Sequence, residues 1–355
     1  AISMTSSLPI IDISPFLTPQ SSPSSRQATA TAINDACTNF GFFYLTGHGI
    51  STETLDHIIH LARQFFALPQ EEKNRIKRHP ANGPGGGDGA RGYQGMGENV
   101  TEGRRDMHEA VDWYAEWEDE GNGEVKEGGK QTTYDVLKGP NLWPESPQEL
   151  KQVYLDYISR LKEIGTAVVR AMGVALNLPP KPENGGDGED EEVFVRATEN
   201  SFWVMRMIGY PPLPYPSASN DDLDSLSCGA HTDYGCITLL RADATPGALQ
   251  VLHKDGKTWI DADPIPGGFV VNIGDMIERW TNGLWKSTLH RVIHRGKGYR
   301  VSAPFFFEPG FDVRVKPLEK CVESSGGEGR FGEVVYGEHL MKKIGGNFVG
   351  GAETL

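Results

Sequence analysis

The first half of the chain combines helical periodicity with short apolar runs. Apolar positions recur at helical spacing from Ala32 to Phe40, Gly41 then ends the helix, and Phe42–Leu45 predicts a strand. A second amphipathic helix is predicted over Ser51–Leu68, and a long one over Leu150–Leu178. This part of the chain is therefore predicted to be mostly helical.

Three other stretches of this half interrupt the helical pattern. Leu8–Leu17 predicts a short strand that ends at Pro15. The glycine-rich segment 81–93 and the acidic segment 182–192 predict irregular loops.

The pattern changes after about Phe202, where apolar runs become short and rich in β-branched or aromatic residues. Pro and Gly turns separate runs such as "FWVMRMIGY", "CITLL", "GFVVNIGD" and "RVSAPFFFEP". Regular short strands of this kind are typical of a barrel or a two-sheet sandwich. We therefore expect an α+β chain in a single compact domain, with a helical region over 1–200, a β core over 201–315 and a C-terminal helical segment over 316–355.

Charge and composition narrow the classes of partner. The formal net charge of the 355 residues is −14 and no long basic run occurs, so we expect neither nucleic acid nor an anionic membrane as partner. No apolar stretch is long enough to span a bilayer, and we see no secretory signal. The four cysteines are scattered, which favours a reduced compartment. We expect a cytoplasmic monomer.

The segment "GAHTDYG" carries the first chemical signal. His231 and Asp233 are two residues apart, so on a strand both side chains point to the same face. A buried aspartate is costly unless it is paired or bound to a metal, which favours a divalent cation here. One more imidazole would complete the facial set that holds Fe(II). The candidates downstream are His253, His290, His294 and His339.

The spacing of these residues resembles a known family. His290 lies 59 residues after His231 and ten before Arg300, which with Ser302 forms an RxS pair. This order is similar to that of the iron(II)- and 2-oxoglutarate-dependent oxygenases, in the isopenicillin N synthase-like branch that includes plant flavonoid and hormone oxygenases. "LPIIDIS" and "GFFYLTGHGI" resemble the N-terminal region of that branch, so the likeness covers nearly the whole chain. Within this branch, stretches such as "FWVMRMIGYP", "GAHTDYG" and "YGEHL" resemble a little-characterised group of plant and fungal oxygenases.

The resemblance implies a fold, cofactors and a site. The fold is a double-stranded β-helix (jelly-roll) core from about Phe202 to Phe311, wrapped by N-terminal and C-terminal helices. The cofactors are Fe(II), 2-oxoglutarate as co-substrate, and O₂. The implied iron ligands and catalytic residues are His231, Asp233 and His290, and the implied 2-oxoglutarate ligands are Arg300, Ser302 and Tyr210. Ile208 stands where the family often has an asparagine that contacts the co-substrate.

The substrate is expected to be a small molecule bound over the open face of the iron. The nominated contacts are Tyr234, Arg206, Asn99 and Thr101. Thr101, Arg206 and Tyr234 match positions that hold L-arginine in the similar ethylene-forming enzymes. Asn99 replaces a carboxylate there, which disfavours arginine oxidation and ethylene formation. His108 and Glu109 either border the pocket or, as we expect, decorate a strand. Cys228 and Cys236 are expected to be small core residues.

The expected reaction is hydroxylation, desaturation or rearrangement of this substrate, with release of succinate and CO₂. Four alternatives stay open at this point. Two are enzymes of the same fold, namely an oxidase that, like isopenicillin N synthase, works without 2-oxoglutarate, and an enzyme of the ethylene-forming type. The other two are a non-catalytic jelly-roll binding protein and a zinc hydrolase. The RxS pair argues against the first of these, because such an oxidase needs no arginine for a co-substrate. The zinc hydrolase lacks an evident general base beside HxD.

Overall fold

The computed structural model describes residues 8–80, 89–116, 137, 139–183, 188–214 and 226–344. Part of the glycine-rich loop predicted over 81–93, part of the acidic loop predicted over 182–192, and the end of the predicted C-terminal segment lie outside the described residues.

Along the chain, helices occur before, within and after the β core. Within the described residues they are α1 (Ser14–Leu17), α2 (Pro23–Asn39), α3 (Thr52–Phe66), α4 (Gln70–Asn74), α5 (Leu150–Ala175), α6 (Val193–Ala197), α7 (Asp275–Trp280), α8 (Glu319–Ser324) and α9 (Tyr336–Ile344).

Strands are short throughout. Within the described residues they are β1 (Ile10–Asp12), β2 (Phe42–Thr46), β3 (Gly92–Gln94), β4 (Val100–Thr101), β5 (Arg104–Arg105), β6 (Glu109–Tyr114), β7 (Val204–Tyr210), β8 (Cys228–His231), β9 (Ile237–Ala242), β10 (Leu249–Leu252), β11 (Trp259–Asp261), β12 (Phe269–Ile273), β13 (His290–Val292), β14 (Arg300–Phe307), β15 (Arg314–Val315) and β16 (Val334–Val335).

Two sheets form the jelly-roll core. The larger has the strand order β1-β2-β12-β9-β14-β7-β6-β3, and the smaller the order β11-β10-β13-β8. Phe42 and Tyr44 from the larger sheet and Leu249, Val251 and Val292 from the smaller belong to one buried apolar cluster. The two sheets therefore face each other across a small core, and the predicted α+β jelly-roll class is confirmed.

The other face of the larger sheet packs on the helices. Side chains alternate along a strand, so Phe43 and Leu45 point away from Phe42 and join the main core with residues of α2, α3 and α5. Gly165 of α5 allows a close approach, because a Cβ there would lie 2.7 Å from the Phe307 ring. The helices thereby cover one side of the sheet and leave its other side to the site.

The N-terminal region contributes more to the sheet than the hydrophobic pattern predicts. β1, β2, β3 and β6 all come from before residue 200, and β6 pairs with β7 from Glu109–Gly209 to Tyr114–Val204. The domain boundary predicted at residue 200 stays a prediction, and this pairing spans it. The strand predicted over Leu8–Leu17 is shorter, because Pro15 lies in the first turn of α1, where its missing N–H leaves no hydrogen bond unmade.

The structure also bears on membrane and cysteine chemistry. Among the described residues, no helix combines the length and the apolar character needed to cross a bilayer. All four cysteines are free thiols; Cys37, Cys236 and Cys321 are buried, and Cys228 is partly exposed.

Candidate active site

Two strands of the smaller sheet bring the predicted iron ligands together. His290 on β13 is the cross-strand partner of His231 on β8, and Asp233 lies two residues after His231. The Asp233 Oδ1 atom lies 3.8 Å from His231 Nε2 and 3.6 Å from His290 Nε2. One ligand atom from each of the three side chains falls within 4.8 Å of the others, which a single metal ion could bridge.

Backbone carbonyls orient both imidazoles. The Nδ1 atom of His231 lies 2.8 Å from the Gly229 carbonyl oxygen, and Nδ1 of His290 lies 3.1 Å from that of Thr288. When Nδ1 carries the proton and donates it to these carbonyls, Nε2 keeps a free lone pair on the side of Asp233. This is the orientation that metal-binding histidines require.

Two hydrogen bonds orient the carboxylate in the same way. Asp233 Oδ2 accepts from the Thr238 hydroxyl at 2.5 Å and from the Asn272 amide at 2.6 Å, so Oδ1 is left for a cation. Thr238 on β9 and Asn272 on β12 are cross-strand partners. Neither residue was predicted from the sequence; the available signal was a polar side chain inside a short apolar run, Thr238 within Ile237–Leu240 and Asn272 within Phe269–Ile273.

The electrostatics of the two imidazoles differ. Burial, together with the neighbouring His231, lowers the pKa of His290 to about 4, so this ring is neutral at pH 7. Burial also acts to lower the pKa of His231, but the neighbouring Cys228 and Asp233 outweigh it and raise this pKa to about 10. A divalent cation bound here would take the place of that proton.

The predicted co-substrate residues form a second group beside the triad. Arg300 and Tyr210 are cross-strand partners, and the guanidinium carbon lies 4.8 Å from the centre of the Tyr210 ring. Arg300 is 2% exposed, and its Nε and Nη1 atoms have no hydrogen-bond partner in the part of the chain that the structure describes. A side-chain interaction with Ser302 acts to lower the pKa of Tyr210, against the larger effect of burial.

A cavity of about 80 Å³ joins the two groups, since its lining includes the triad together with Arg300, Ser302 and Tyr210. A buried guanidinium with unpaired donors requires an anion, and a carboxylate matches its planar geometry. Burial raises the pKa of Tyr210 to about 12, so its hydroxyl stays protonated. The donor set fits Fe(II), and the arginine fits the far carboxylate of a keto diacid.

The four nominated substrate residues meet in a wider pocket outside the triad. A cavity of about 410 Å³ is lined by Tyr234, Arg206, Asn99 and Thr101, and also by His231. The structure therefore brings all four together beside the candidate iron site, and their role as substrate contacts stays a prediction.

Arg206 is already engaged within this pocket. Its Nε lies 2.6 Å from Asp112 Oδ1, and its Nη2 donates to the side chains of Gln94 and Asn99 at 3.2 Å. Its charge is thus balanced by Asp112. The Asn99 amide nitrogen has no hydrogen-bond partner among the described residues, so this donor remains free for a ligand.

The other two pocket residues contact charged neighbours. The Thr101 hydroxyl donates to Asp106 at 2.8 Å, and Lys343 of α9 lies over the Tyr234 ring at 5.3 Å. Lys342 and Lys343 both line the outer pocket. The pocket therefore carries an acidic group on one wall and a basic pair on α9.

One expectation for the neighbouring residues is wrong: His108, expected to decorate a strand, is 2% exposed and borders both cavities. Cys228, expected in the core, is partly exposed and packs against the smaller apolar cluster, with its Sγ 3.8 Å from His231 Nδ1. Cys236 is buried as expected. Glu109 lies away from the pocket, where it accepts hydrogen bonds from Lys73 and from the hydroxyls of Tyr93 and Tyr299.

Comparisons with known proteins agree with this geometry. Residues 8–146 match the family model for the non-haem dioxygenase N-terminal region (described as in morphine synthesis), and residues 200–309 match that of the 2OG-Fe(II) oxygenase superfamily. The chain is 41% identical over 351 residues to a homoarginine-6-hydroxylase of Arabidopsis thaliana, covering 96% of this chain and 98% of the relative. A homoarginine-6-hydroxylase of Glycine max is also 41% identical, with 97% and 98% covered.

Solved structures give the same result. The crystal structure of a full-length Neurospora crassa protein in complex with alpha-KG and thymine superposes with a TM-score of 0.74 at 26% identity, covering 95% of this chain and 96% of that one. JOX2 in complex with 2OG, Fe and JA superposes with a TM-score of 0.72, also at 26% identity, covering 95% of this chain and 84% of that one.

Fold, site and relatives together define an Fe(II)- and 2-oxoglutarate-dependent oxygenase that oxidises a small molecule with O₂. The chain belongs to the 2OG-Fe(II) oxygenase superfamily and is similar along its length to plant homoarginine-6-hydroxylases.

Proposed function

We propose that this oxygenase hydroxylates a cationic amino acid, with homoarginine as the candidate substrate. The observation that carries the proposal is the 41% identity to homoarginine-6-hydroxylases over almost the whole of both chains. From the sequence alone, a guanidinium is disfavoured because Asn99 replaces a carboxylate. The proposal instead assigns the acidic role to Asp106, which lines the same pocket.

In this proposal His231, Asp233 and His290 hold the iron, which with 2-oxoglutarate and O₂ supplies the oxidising power for attack on a C–H bond. Gly229 and Thr288 orient the two imidazoles through their carbonyls. Thr238 and Asn272 hold the carboxylate so that only Oδ1 faces the cation. The polypeptide thereby fixes three ligands on one face and leaves the other face for reactants.

Arg300 binds the distal carboxylate of 2-oxoglutarate, assisted by hydroxyls of Ser302 and Tyr210. The support for this assignment is the set of unpaired donors on a guanidinium that is 2% exposed. Sequestering the charge in a cavity strengthens this ion pair and fixes the position of the co-substrate relative to the triad.

The substrate would then lie in the outer pocket with its charged ends on opposite walls. Hydroxylation at C6 requires the guanidinium end of the substrate to lie next to the triad. There the Asp106 carboxylate, which accepts a hydrogen bond from the Thr101 hydroxyl, can also accept hydrogen bonds from the guanidinium. The α-carboxylate end would point to Lys342 and Lys343 on α9. The Tyr234 ring and the free amide of Asn99 would line the path between the two ends.

Substrate-stimulated succinate release tests the proposal. Purified enzyme with Fe(II) and 2-oxoglutarate is assayed with homoarginine, arginine, lysine and thymine. We expect the largest stimulation with homoarginine, and release of free guanidine, because a hydroxyl on the carbon that bears the guanidino nitrogen gives a carbinolamine that collapses. Lysine is the matched control, since it carries a cation but no guanidinium. Stimulation by thymine with none by homoarginine or arginine would reject the cationic substrate.

We also propose that the enzyme is a cytoplasmic monomer without nucleic-acid or membrane partners. The formal charge of −14 and the four free thiols support this proposal. Size-exclusion chromatography with light scattering tests the monomer, and a mass near 78 kDa, about twice the 38.9 kDa of the chain, would contradict it.

A further inference from the structure

A second group of metal-binding side chains lies on the wall of the outer pocket. Asp106, His108 and Cys228 each offer one ligand atom, and these atoms lie within 4.8 Å of one another. All three residues line the outer cavity of about 410 Å³. The group shares no residue with the triad of His231, Asp233 and His290.

The imidazole of His108 has an unused acceptor. Its Nδ1 atom lies 2.7 Å from the carbonyl oxygen of Ser227, which makes Nδ1 the donor and leaves the lone pair on Nε2. Nε2 has no hydrogen-bond partner among the described residues, although the side chain is 2% exposed. A buried polar atom of this kind calls for a ligand, because leaving it unpaired is costly.

The carboxylate of Asp106 is held in place like that of a metal ligand. Oδ1 accepts from the Gly229 N–H at 2.8 Å, and Oδ2 accepts from the Thr101 hydroxyl at 2.8 Å. Each oxygen retains a lone pair, so the carboxylate can also bind a cation. Hydrogen bonds of this type fix the orientation of ligating side chains in protein metal sites.

The thiol of Cys228 completes a donor set different from that of the triad. Sulfur, imidazole nitrogen and carboxylate oxygen together suit Zn(II) or Co(II), with bonds of about 2.0–2.3 Å and ligand atoms roughly 3.3–3.7 Å apart. The observed spread of up to 4.8 Å is wider, so the side chains must move inward by about an ångström. The nearby cation, Arg206, is already paired with Asp112 at 2.6 Å, which reduces its repulsion of a metal ion.

We propose that Asp106, His108 and Cys228 form a second metal site that takes Zn(II) or a similar thiophilic divalent cation. Its fourth position faces the outer pocket. Cys228 Sγ lies 3.8 Å from Nδ1 of His231, on the ring edge opposite the Nε2 atom that faces Asp233. A cation held there would occupy the pocket wall beside the triad and exclude substrate, so zinc would inhibit the enzyme without displacing iron.

Cobalt(II) titration of the metal-free full-length protein distinguishes the two sites, because only a thiolate ligand gives the intense near-ultraviolet sulfur-to-cobalt charge-transfer band. We expect the wild type to bind two equivalents and develop this band. Asp233→Ala should retain the band while losing the triad's equivalent. Cys228→Ser should abolish it, and His108→Ala or Asp106→Asn should weaken the cobalt affinity that it reports by about tenfold or more. Cys321→Ser, which removes another thiol, should behave as the wild type.

Circular dichroism confirms that each variant is folded before titration. With Fe(II) in excess, the zinc concentration that halves activity, relative to each variant's own zinc-free rate, should rise by about tenfold or more in Cys228→Ser. A wild-type protein that binds cobalt without a sulfur band would overturn the second site. A sulfur band that appears with unchanged cobalt affinity in both His108→Ala and Asp106→Asn would also overturn the second site. Cobalt binding to Asp233→Ala tests the second metal site in a variant that does not turn over. A negative result there would therefore reject the second site without bearing on the proposed substrate.

Discussion

The guanidinium carbon of Arg300 lies 4.8 Å from the centre of the Tyr210 ring, and the two residues are cross-strand partners on β14 and β7. This pairing places a buried positive charge at the wall of the cavity that the iron triad also lines. Two of its nitrogens have no hydrogen-bond partner among the described residues. The arginine is thus prepared for an anionic ligand.

Replacement of Arg300 should weaken the binding of 2-oxoglutarate and leave the metal affinity unchanged. We expect Arg300→Ala to raise the KM for 2-oxoglutarate by about a hundredfold, since a charge-assisted buried pair contributes on the order of 3 kcal/mol. Steady-state succinate release measures the KM, and calorimetric titration with Mn(II) measures metal affinity. The control is Arg291→Ala, because Arg291 packs over Trp259 on the smaller sheet. An unchanged KM for 2-oxoglutarate in Arg300→Ala would remove Arg300 from the role assigned to it.

The hydroxyl of Thr238 should contribute to metal affinity through Asp233. Thr238→Val removes a 2.5 Å hydrogen bond to Oδ2 of the carboxylate, and we expect about a tenfold to hundredfold loss of Mn(II) affinity in calorimetric titration. Thr238→Ser keeps the hydroxyl and is the matched control, with affinity near the wild type. Equal losses in the two variants would mean that packing of the side chain, and not its hydrogen bond, matters.

The sequence predicted the ligands themselves better than their surroundings. HxD places two side chains on one face of a strand at a fixed spacing, and the gaps to His290 and Arg300 are typical of the family, so one linear pattern carries this information. The contacts of Asp233 with Asn272, and of His108 with the Ser227 carbonyl, depend on where the chain turns and on strand register instead. No spacing along the chain encodes them.

The same limit applies to the extent of the sheet. Two of the six residues of β6, Glu109 and Asp112, are acidic, so its sequence shows no continuous apolar run, and only its pairing with β7 shows that it belongs to the core. His108 immediately precedes this strand, and nothing in the surrounding sequence reveals that its side chain is only 2% exposed.

Glu308 should make stability depend on pH. Burial, followed by the charges of Asp233 and Asp275, raises the pKa of this carboxyl from 4.5 to about 8. The folded protein therefore keeps a proton that the unfolded chain releases, and stability falls as pH rises from about 4.5 to about 8. Glu308→Gln has no ionisable group at this position. We expect its free energy of unfolding to fall by on the order of 2–4 kcal/mol less than that of the wild type over this interval.

Urea denaturation of the metal-free protein at pH 5, 6, 7 and 8 measures this difference. Glu333→Gln is the control, because Glu333 forms an exposed ion pair with Arg314 and should follow the wild-type curve. Parallel curves for the wild type and Glu308→Gln would show that Glu308 is ionised in the folded state across this range.

Gly235 should be required because of the same carboxyl group. A Cβ at this position would overlap Oε2 of Glu308, so Gly235→Ala forces the side chain or the backbone to shift. We expect destabilisation of about 1–3 kcal/mol in urea denaturation. In the double variant with Glu308→Ala the penalty should shrink by more than half, since the obstructing group is gone. Simple additivity of the two single variants would instead point to a cause in the backbone.

The most direct test is a crystal structure grown without oxygen in the presence of Fe(II) and 2-oxoglutarate, with data collected on both sides of the iron absorption edge. We predict one anomalous peak within bonding distance of His231 Nε2, Asp233 Oδ1 and His290 Nε2, and the far carboxylate of 2-oxoglutarate on Arg300. An iron peak that lacks any of these three ligands, or 2-oxoglutarate bound away from Arg300, would contradict the proposed site.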